Sequence, residues 1–168
     1  MFYVGTFSKS TFADIRLGYV VVPEGYVDVF AQAQRHGGQL AALPLQDALA
    51  EFIDEGHFVA HIRKMTRLYG ERRDRLVRAL NGAAGDFLSV SPPSGGMQLL
   101  ATLARHVDDR DVASRLKQAG VTVRPLSHHF TGRIADHGLF LGFAAWNDDE
   151  IDAGANLIGD VLRGKLAP

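Results

Sequence analysis

The hydrophobic positions of the chain change their spacing along its length, and the spacing predicts the type of each element. Short apolar and β-branched runs bounded by turn residues predict strands. These runs are residues 2–7, 17–22, 87–90, 97–103, 121–123 and 138–146. Apolar residues that recur every three or four positions predict helices instead. These segments are residues 24–35, 44–55, 57–80, 108–119 and a last helix from residue 147 onward. The pattern therefore predicts a mixed fold of helices and strands.

Local start and stop signals set the predicted helix boundaries. Asp108 is a candidate N-cap, and Gly120 follows the end of the same helix. Residues 147–150 (NDDE) have the form of a capping box that opens the last helix. The pair Asn81-Gly82 is expected to end the long helix that begins at residue 57.

The order of the predicted elements indicates the fold class. From residue 57 onward the order is helix, strand, strand, helix, strand, strand, helix, which describes an α+β layer with helices on one face of a small sheet. Residues 1–43 are predicted to contain two strands and a helix, which do not form a complete domain by themselves. They are typical of the tail of a larger α/β domain. We therefore expect an α+β (α/β) chain in two parts, residues 1–43 and 44–168. Because the strand at residues 2–7 has no preceding element to pair with, we expect a fragment that self-associates, as a dimer or larger.

Composition and charge exclude several broad classes of function. Hydrophobic residues make up 46% of the chain and charged residues 22%, values that allow a buried core, and the formal net charge is −1. A chain-wide field for nucleic acid or membranes is therefore excluded. The absence of cysteine excludes disulfides and thiolate metal sites. Because the chain has no apolar run of membrane length and no visible signal peptide, we expect a cytoplasmic protein.

Three further patterns have an ordinary structural explanation. The helix at residues 57–80 is rich in arginine, but without interleaved aromatic residues a solvated face is favoured over a nucleic-acid contact. His57 and His61 have a helical spacing that can bind zinc, but a third ligand in the required pattern is missing. His128 and His129 are expected in or beside a strand, with side chains on opposite faces. No metal site is predicted.

One segment carries residue types suited to a specific chemistry. Lys9 lies where the first predicted strand ends, after Thr6 and Ser8, and Arg16 follows seven residues later. A lysine amine that is partly desolvated, or close to another cation, can act as a nucleophile toward an aldehyde. Hydroxyl donors and a guanidinium are the groups that bind a phosphate. From the residue types alone, a solvated loop lysine is the more common explanation of this pattern.

The same segment resembles a known family. GTFSKSTFADIRLGYVVVP is similar to the lysine segment of class-I aminotransferases, which are fold-type-I pyridoxal-phosphate (PLP) proteins, and more closely to MocR-type (GntR-family) transcriptional regulators. EFIDEGHFVAHIRKMTRLYGERRDRLVRAL resembles the helix pair that follows in those regulators. SGGMQLLATL, GVTVRPLS and LFLGFAAWNDDEIDAGANLIGDVL resemble their remaining strands and last helix. The resemblance covers nearly the whole chain in the same order.

The resemblance implies a role for each residue of the segment. Lys9 matches the catalytic lysine that carries PLP and moves protons at the substrate. Arg16 matches the arginine that binds the cofactor phosphate. Thr6 matches a hydroxyl that also holds the phosphate, and Ser8 lies near enough to assist. The implied ligands are PLP and a small amine or amino acid.

The resemblance also implies a function for the longer parent protein. It would contain a PLP-binding, aminotransferase-like effector domain of a cytosolic transcriptional regulator, with this chain as the C-terminal portion. Residues 1–43 would end the large PLP-binding domain, and residues 44–168 would form the small domain. DNA would be contacted only through a separate N-terminal winged helix. A fragment of a free-standing class-I aminotransferase and a non-catalytic oligomerisation or interaction module remain as alternatives.

Two departures from the family pattern lead us to expect no transaminase activity from the fragment alone. First, the parts of the family that hold the cofactor ring precede the lysine segment, and the fragment expected here does not include them. Second, the family arginine that binds the substrate carboxylate is replaced by Phe140 in the stretch FLGF. A phenylalanine cannot bind a carboxylate, which counts against ordinary α-amino-acid transamination even by the full-length parent. Arg124 and Arg133 are candidates to replace it, and the sequence gives no geometric reason to choose either.

Overall fold

The computed structural model describes residues 1–37, 41–104, 107–132, 134 and 136–164. The chain divides into two compact units, Met1–Lys64 and Met65–Pro168. The first is called the lysine unit below and the second the sheet unit. The division into residues 1–43 and 44–168 stays a prediction. Among the described residues, no helix has the length and apolar character needed to cross a membrane.

The lysine unit begins with an antiparallel ribbon of two strands. Strand β1 (Tyr3–Thr6) pairs with β2 (Gly18–Val21), in a register that places Thr6 opposite Gly18. Gly18 is required there, since a Cβ atom would lie 2.9 Å from the carbonyl oxygen of Gly5. The two strands predicted at residues 2–7 and 17–22 are confirmed.

Helices follow the ribbon. A 3-10 turn at Glu24–Tyr26 leads into α1 (Val27–Gly37), so the helix predicted from residue 24 begins with a tighter turn. The sequence predicts a glycine-containing connector at residues 36–43, part of which lies outside the described residues. Helix α2 (Leu43–Asp54) has proline in its first turn, where a missing N–H costs no helical hydrogen bond. Gly56, with φ of +79°, separates α2 from helix α3 (His57–Ala84).

The sheet unit contains a four-stranded antiparallel sheet. Its strands are β3 (Leu88–Val90), β4 (Gln98–Leu103), β5 (Arg124–Pro125) and β6 (Gly138–Gly142), in the spatial order β3-β4-β6-β5. Its other helices are α4 (Asp109–Gln118) and α5 (Asp148–Leu162). The antiparallel pairs allow one face of the sheet to stay open while the other is covered.

The core of the sheet unit lies between one sheet face and the helices. Alternate residues of β4 and β6 are buried on this face: Leu99, Ala101, Leu103, Leu139 and Leu141. They pack in one cluster with residues of α3, α4 and α5, including Leu80, Leu116 and Ile158. The predicted layer of helices on one face of a small sheet is therefore confirmed.

The predicted caps of α4 and α5 are also confirmed. The Asp108 carboxylate accepts a hydrogen bond from the Arg110 backbone N–H at 2.9 Å. At the start of α5, Asn147 and Glu150 make both hydrogen bonds of the capping box. Gly120 has φ of +90° after the end of α4, a conformation that glycine adopts without a steric cost.

Three predicted boundaries were wrong. Helix α3 continues past Asn81-Gly82 to Ala84, because Ala83 and Ala84 are buried against the core. Residues 121–123 are not a strand, since the Val121 N–H binds the Leu116 carbonyl at 2.8 Å and so completes the end of α4. Strand β6 ends at Gly142, not at residue 146.

Candidate functional site

The loop between β1 and β2 carries the predicted cofactor residues. The Phe7 N–H donates to the Leu17 carbonyl at 3.0 Å, which closes the loop at its base. The Phe7 carbonyl accepts from the backbone N–H groups of Ser10 and Thr11 at 3.1 and 2.9 Å. It also accepts from their hydroxyls at 3.1 and 2.8 Å. These four donors hold the turn around Lys9 in one conformation.

Lys9 is exposed on this turn. Among the described residues, no hydrogen bond or ion pair engages its amine. Ser8 is half-buried, and its hydroxyl is likewise without a partner in the described part of the chain. The two side chains are therefore available to a ligand, and the backbone beneath them is already ordered.

Thr6 has a different arrangement. Its hydroxyl donates to the Leu17 carbonyl at 3.3 Å and accepts from the Ser8 N–H at 3.2 Å. Both bonds are internal to the loop, so Thr6 fixes the end of β1 relative to β2. Its hydroxyl hydrogen is used within the loop, and donation to a phosphate would require the hydroxyl to turn away from Leu17.

Arg16 occupies a left-handed backbone conformation, with φ of 49° and ψ of 26°. This conformation costs a residue with a side chain about 1–3 kcal/mol and persists where neighbours impose it. Its neighbours Ile15 and Leu17 are each only 5% exposed, so they anchor the backbone on both sides. The Arg16 side chain itself is exposed. The structure thus places a second cation on the same loop as Lys9.

The residue set of this loop fits a phosphate-bearing aldehyde. A nucleophilic amine, a free hydroxyl and a guanidinium lie on one short, internally bonded loop. No carboxylate of the described residues forms an ion pair with Lys9 or Arg16, so neither charge is neutralised within the part of the chain that the structure describes. Such a loop can therefore bind a ligand that carries negative charge and accepts hydrogen bonds.

An apolar cavity of about 310 Å³ adjoins the same loop within the lysine unit. Phe12 and Ile15 from the loop line it, together with Leu49 and Phe52 from α2. The sequence does not predict this cavity, because its walls come from segments that lie far apart along the chain. The apolar spacing that predicts the helix at residues 44–55 is the feature of these walls that the sequence shows.

The two pairs of histidines have separate structural positions. His57 lies 3.1 Å from the Glu55 carboxylate, whereas His61 lines the apolar cavity. His128 and His129 lie in a 3-10 turn, Leu126–His129, so the prediction of opposite strand faces was wrong. The turn forms because the Asp109 carboxylate accepts the Ser127 N–H at its start.

A buried carboxylate that sequence reasoning missed lies in the sheet unit. Asp109 is fully buried, and it forms with Asp108 and His137 a group whose ligand atoms lie within 4.8 Å of one another. The Asp109 Oδ2 atom accepts from the N–H groups of Ser127 and Gly138 at 2.9 and 3.2 Å. These bonds give Asp109 a structural role, since it joins α4 to two other segments.

Several arginines of the long helix bind within the sheet unit. Arg72 donates to the Ala144 carbonyl, and Arg73 donates to the Pro93 carbonyl at 2.9 Å. Arg75 binds the carboxylates of Asp148 and Asp152, each at 2.6 Å. These intramolecular contacts favour the structural explanation of the basic helix over a nucleic-acid surface.

The residues discussed as carboxylate ligands lie on the open face of the sheet or outside the described residues. Arg124 in β5 is the direct cross-strand partner of Phe140 in β6. The Arg124 Nη2 atom donates to the Gln98 side chain at 2.8 Å. Arg133 lies outside the described residues.

Comparisons with known proteins agree with the fold. The family model described as aminotransferase class I and II matches residues 1–154. The crystal structure of kynurenine aminotransferase from Pyrococcus horikoshii superimposes with a TM-score of 0.88 at 24% identity, over 99% of this chain and 41% of that one. The expected fold class, that of fold-type-I aminotransferases, is therefore confirmed.

Two curated relatives represent two kinds of protein. The probable rhizopine catabolism regulatory protein MocR of Rhizobium meliloti is 36% identical over 154 residues, which are 92% of this chain and 31% of that protein. Aromatic-amino-acid aminotransferase 1 of Thermococcus litoralis is 23% identical over 164 residues, which are 98% of this chain and 39% of that protein. The chain thus spans about a third of the length of these relatives, and the expected relation to MocR-type regulators and aminotransferases is confirmed.

Proposed function

The chain belongs to the class I and II aminotransferase family, and from this premise we propose that it is the C-terminal part of a PLP-binding effector domain of a transcriptional regulator. The observation that carries the proposal is the loop at residues 7–17, where Lys9 and Arg16 are exposed and unpaired among the described residues. The 36% identity to a MocR regulator supports the regulatory assignment.

We assign the following roles to the residues of the loop. In the parent, the amine of Lys9 would hold PLP through its aldehyde group and would carry protons to and from the amine substrate. Arg16 and the Ser8 hydroxyl bind the phosphate, since both are available for charge-assisted hydrogen bonds. Thr6 holds the end of β1 in place through Leu17 and contacts the phosphate only if its hydroxyl turns. When bound, PLP supplies the electron-withdrawing ring that stabilises negative charge on the substrate.

We further propose that this chain by itself lacks transaminase activity. It spans 31% of the regulator that it resembles, so much of the regulator's own sequence has no counterpart in the match. DNA contacts in the parent would come from a winged helix outside the matched region. A cytoplasmic location follows for a regulator of transcription. Ligand occupancy would act by biasing the parent between conformations of different affinity for DNA.

The test is reductive trapping of PLP on the chain with borohydride, followed by peptide mapping. Lys64 and Lys117 are exposed lysines that serve as internal controls. We expect about tenfold more label at Lys9 than at either control, because the phosphate adds charge-assisted hydrogen bonds at this loop alone. Pyridoxal, which lacks the phosphate, should lose this preference, and so should PLP on the Arg16→Met variant.

The outcomes separate the alternatives. Equal labelling of Lys9 and the two control lysines, or a preference that survives Arg16→Met, contradicts the assignment of the loop and favours a non-catalytic interaction module. A fragment of a free-standing aminotransferase is the second candidate, supported by the similarity to the Thermococcus litoralis enzyme. The parent sequence upstream of Met1 distinguishes the two, since a winged helix-turn-helix supports the regulator and a large aminotransferase domain alone supports the enzyme.

A further inference from the structure

A group of polar side chains in the sheet unit lies where α4 and β6 begin. Asp108 and Asp109 are the N-cap and the first residue of α4, and His137 directly precedes β6. Each residue offers one ligand atom, and these atoms lie within 4.8 Å of one another. Because the two segments are distant along the chain, only the packing of α4 against β6 assembles the group. The sequence pattern therefore does not predict it.

Two buried atoms of this group face each other. The Asp109 Oδ1 atom lies 3.3 Å from the His137 Nδ1 atom. Both atoms are shielded from solvent, and neither makes a well-formed hydrogen bond with the described residues. A charge-assisted hydrogen bond from an imidazolium to a carboxylate is about 2.7–2.9 Å long, so a proton shared by these atoms makes only a long bond. Buried polar atoms in native proteins usually have a better partner.

The distance between the two atoms suits a metal ion. Zinc binds histidine nitrogen and carboxylate oxygen at about 2.0–2.1 Å, so two ligands at the tetrahedral angle are about 3.3–3.4 Å apart. The observed separation of 3.3 Å matches this spacing. Asp108 is exposed, so its side chain can move to complete the coordination. Its Oδ1 atom caps α4, which leaves the Oδ2 atom for a ligand.

The surrounding backbone holds the ligands in position. The Asp109 Oδ2 atom accepts from the Ser127 and Gly138 N–H groups, which orients the Oδ1 atom of the same carboxylate. The His137 carbonyl accepts from the Leu103 N–H at 2.9 Å, which ties the histidine backbone to β4. Hydrogen bonds of this kind to ligating residues are typical of metal centres and increase their affinity.

The charge of the group favours a divalent cation. In the part of the chain that the structure describes, neither Asp108 nor Asp109 forms an ion pair with a lysine or an arginine. Arg110, the next residue, directs its Nε atom to the Ser127 hydroxyl at 3.0 Å instead. A cation between two like charges removes their repulsion. A histidine ligand favours zinc over magnesium and calcium, which prefer oxygen ligands.

We propose that Asp108, Asp109 and His137 bind a zinc ion, with water as the fourth ligand. The ion replaces the long contact between Asp109 and His137 and joins the start of α4 to the start of β6. The site lies within the sheet unit and makes no use of Lys9. It therefore goes beyond the function proposed above, and its test is independent of PLP binding.

The experiment is a zinc titration of the chain, first treated with a chelator, in competition with a chromogenic chelator. We expect saturable binding of zinc that a large excess of magnesium or calcium does not displace. Cobalt(II) in place of zinc should give the intense visible absorption of a tetrahedral site. Failure of the chain to compete for zinc, or displacement of zinc by magnesium or calcium, overturns the proposal.

Three variants test the ligands one by one. Asp109→Asn keeps an acceptor for the two backbone N–H groups but loses the anionic ligand, and His137→Ala and Asp108→Asn change the other two. Each should weaken zinc binding by about tenfold or more, because changes to residues that only support the ligands already have effects of this size. The matched controls are His128→Ala and Asp111→Asn, which alter exposed residues of the same unit and should leave the affinity unchanged. Wild-type affinity in any of the three ligand variants, with the amide NMR spectrum of the fold retained, overturns the proposal.

Discussion

Asp109 offers a sharp test of how the sheet unit is held together. It is the first residue of α4 and is fully buried. Its Oδ2 atom accepts from the Ser127 and Gly138 N–H groups, and its Oδ1 atom lies 3.3 Å from the Nδ1 atom of His137. One carboxylate therefore joins the start of a helix to a 3-10 turn and to the start of β6. We expect Asp109→Ala to destabilise the unit strongly.

The magnitude follows from the groups that lose their acceptor. Ser127 and Gly138 are both buried, so each N–H would be left unsatisfied at a cost of about 1–3 kcal/mol. Leaving both N–H groups without their acceptor predicts a loss of about 3–5 kcal/mol in the free energy of unfolding. Asp109→Asn retains an acceptor oxygen and loses only the charge, so we expect a cost of about 1–2 kcal/mol.

The pH dependence gives an independent check. Burial raises the pKa of the Asp109 carboxyl. Hydrogen bonds from Ser127, Gly138 and His137 lower it by a larger amount, so the pKa lies below its usual value. The folded state therefore favours the ionised carboxylate. Its stabilisation is complete above the unfolded pKa of about 3.9 and is lost as the pH falls through the lower folded pKa. The difference between wild type and Asp109→Ala should shrink only in that acid range.

The assay is urea unfolding followed by the emission of Trp146, the single tryptophan of the chain, which lies in the sheet unit. Asp111→Ala is the matched control, because it removes the same charge from the first turn of α4. The Asp111 side chain is 65% exposed, so its loss should cost less than about 1 kcal/mol. The reasoning is refuted if Asp109→Ala costs no more than Asp111→Ala, or if its effect is undiminished in acid.

Two other predictions concern packing and assembly. Gly159→Ala should lower stability by about 1–3 kcal/mol, because the new Cβ would lie 2.3 Å from the Ala83 carbonyl oxygen. Gly154→Ala on the same helix meets open space and should raise stability by about 0.5–1 kcal/mol, so equal shifts in Tm would contradict the packing. The exposed apolar ribbon, with Tyr3 58% and Val4 75% exposed, predicts a dimer or larger species in light scattering, and a monomer at all concentrations would contradict it.

The sequence by itself determined features that depend on near neighbours along the chain. The capping box at Asn147, the N-cap at Asp108 and the turn at Gly120 need only residues within four positions, so they were predicted correctly. The lysine segment could be found because its residue types and order resemble those of a family, which fixed the fold as well.

The tertiary structure decided features that depend on contacts between distant segments. Residues 121–123 have a composition typical of strands, yet the Val121 N–H donates to a carbonyl at the end of α4. Of this segment, residues 124 and 125 form the pairs with β6. Helix α3 passes Gly82 because burial of Ala83 and Ala84 stabilises another turn.

The lysine loop and the four-stranded sheet differ in the same way. Lys9 and Arg16 lie in one short segment of sequence, and the resemblance of that segment to a known family, not its spacing alone, suggested a phosphate-binding role. Arg124, Gln98 and Phe140 come from three strands, and only the strand register places them side by side. Register depends on which face of each strand is buried, and burial is a property of the packed core, not of any single strand.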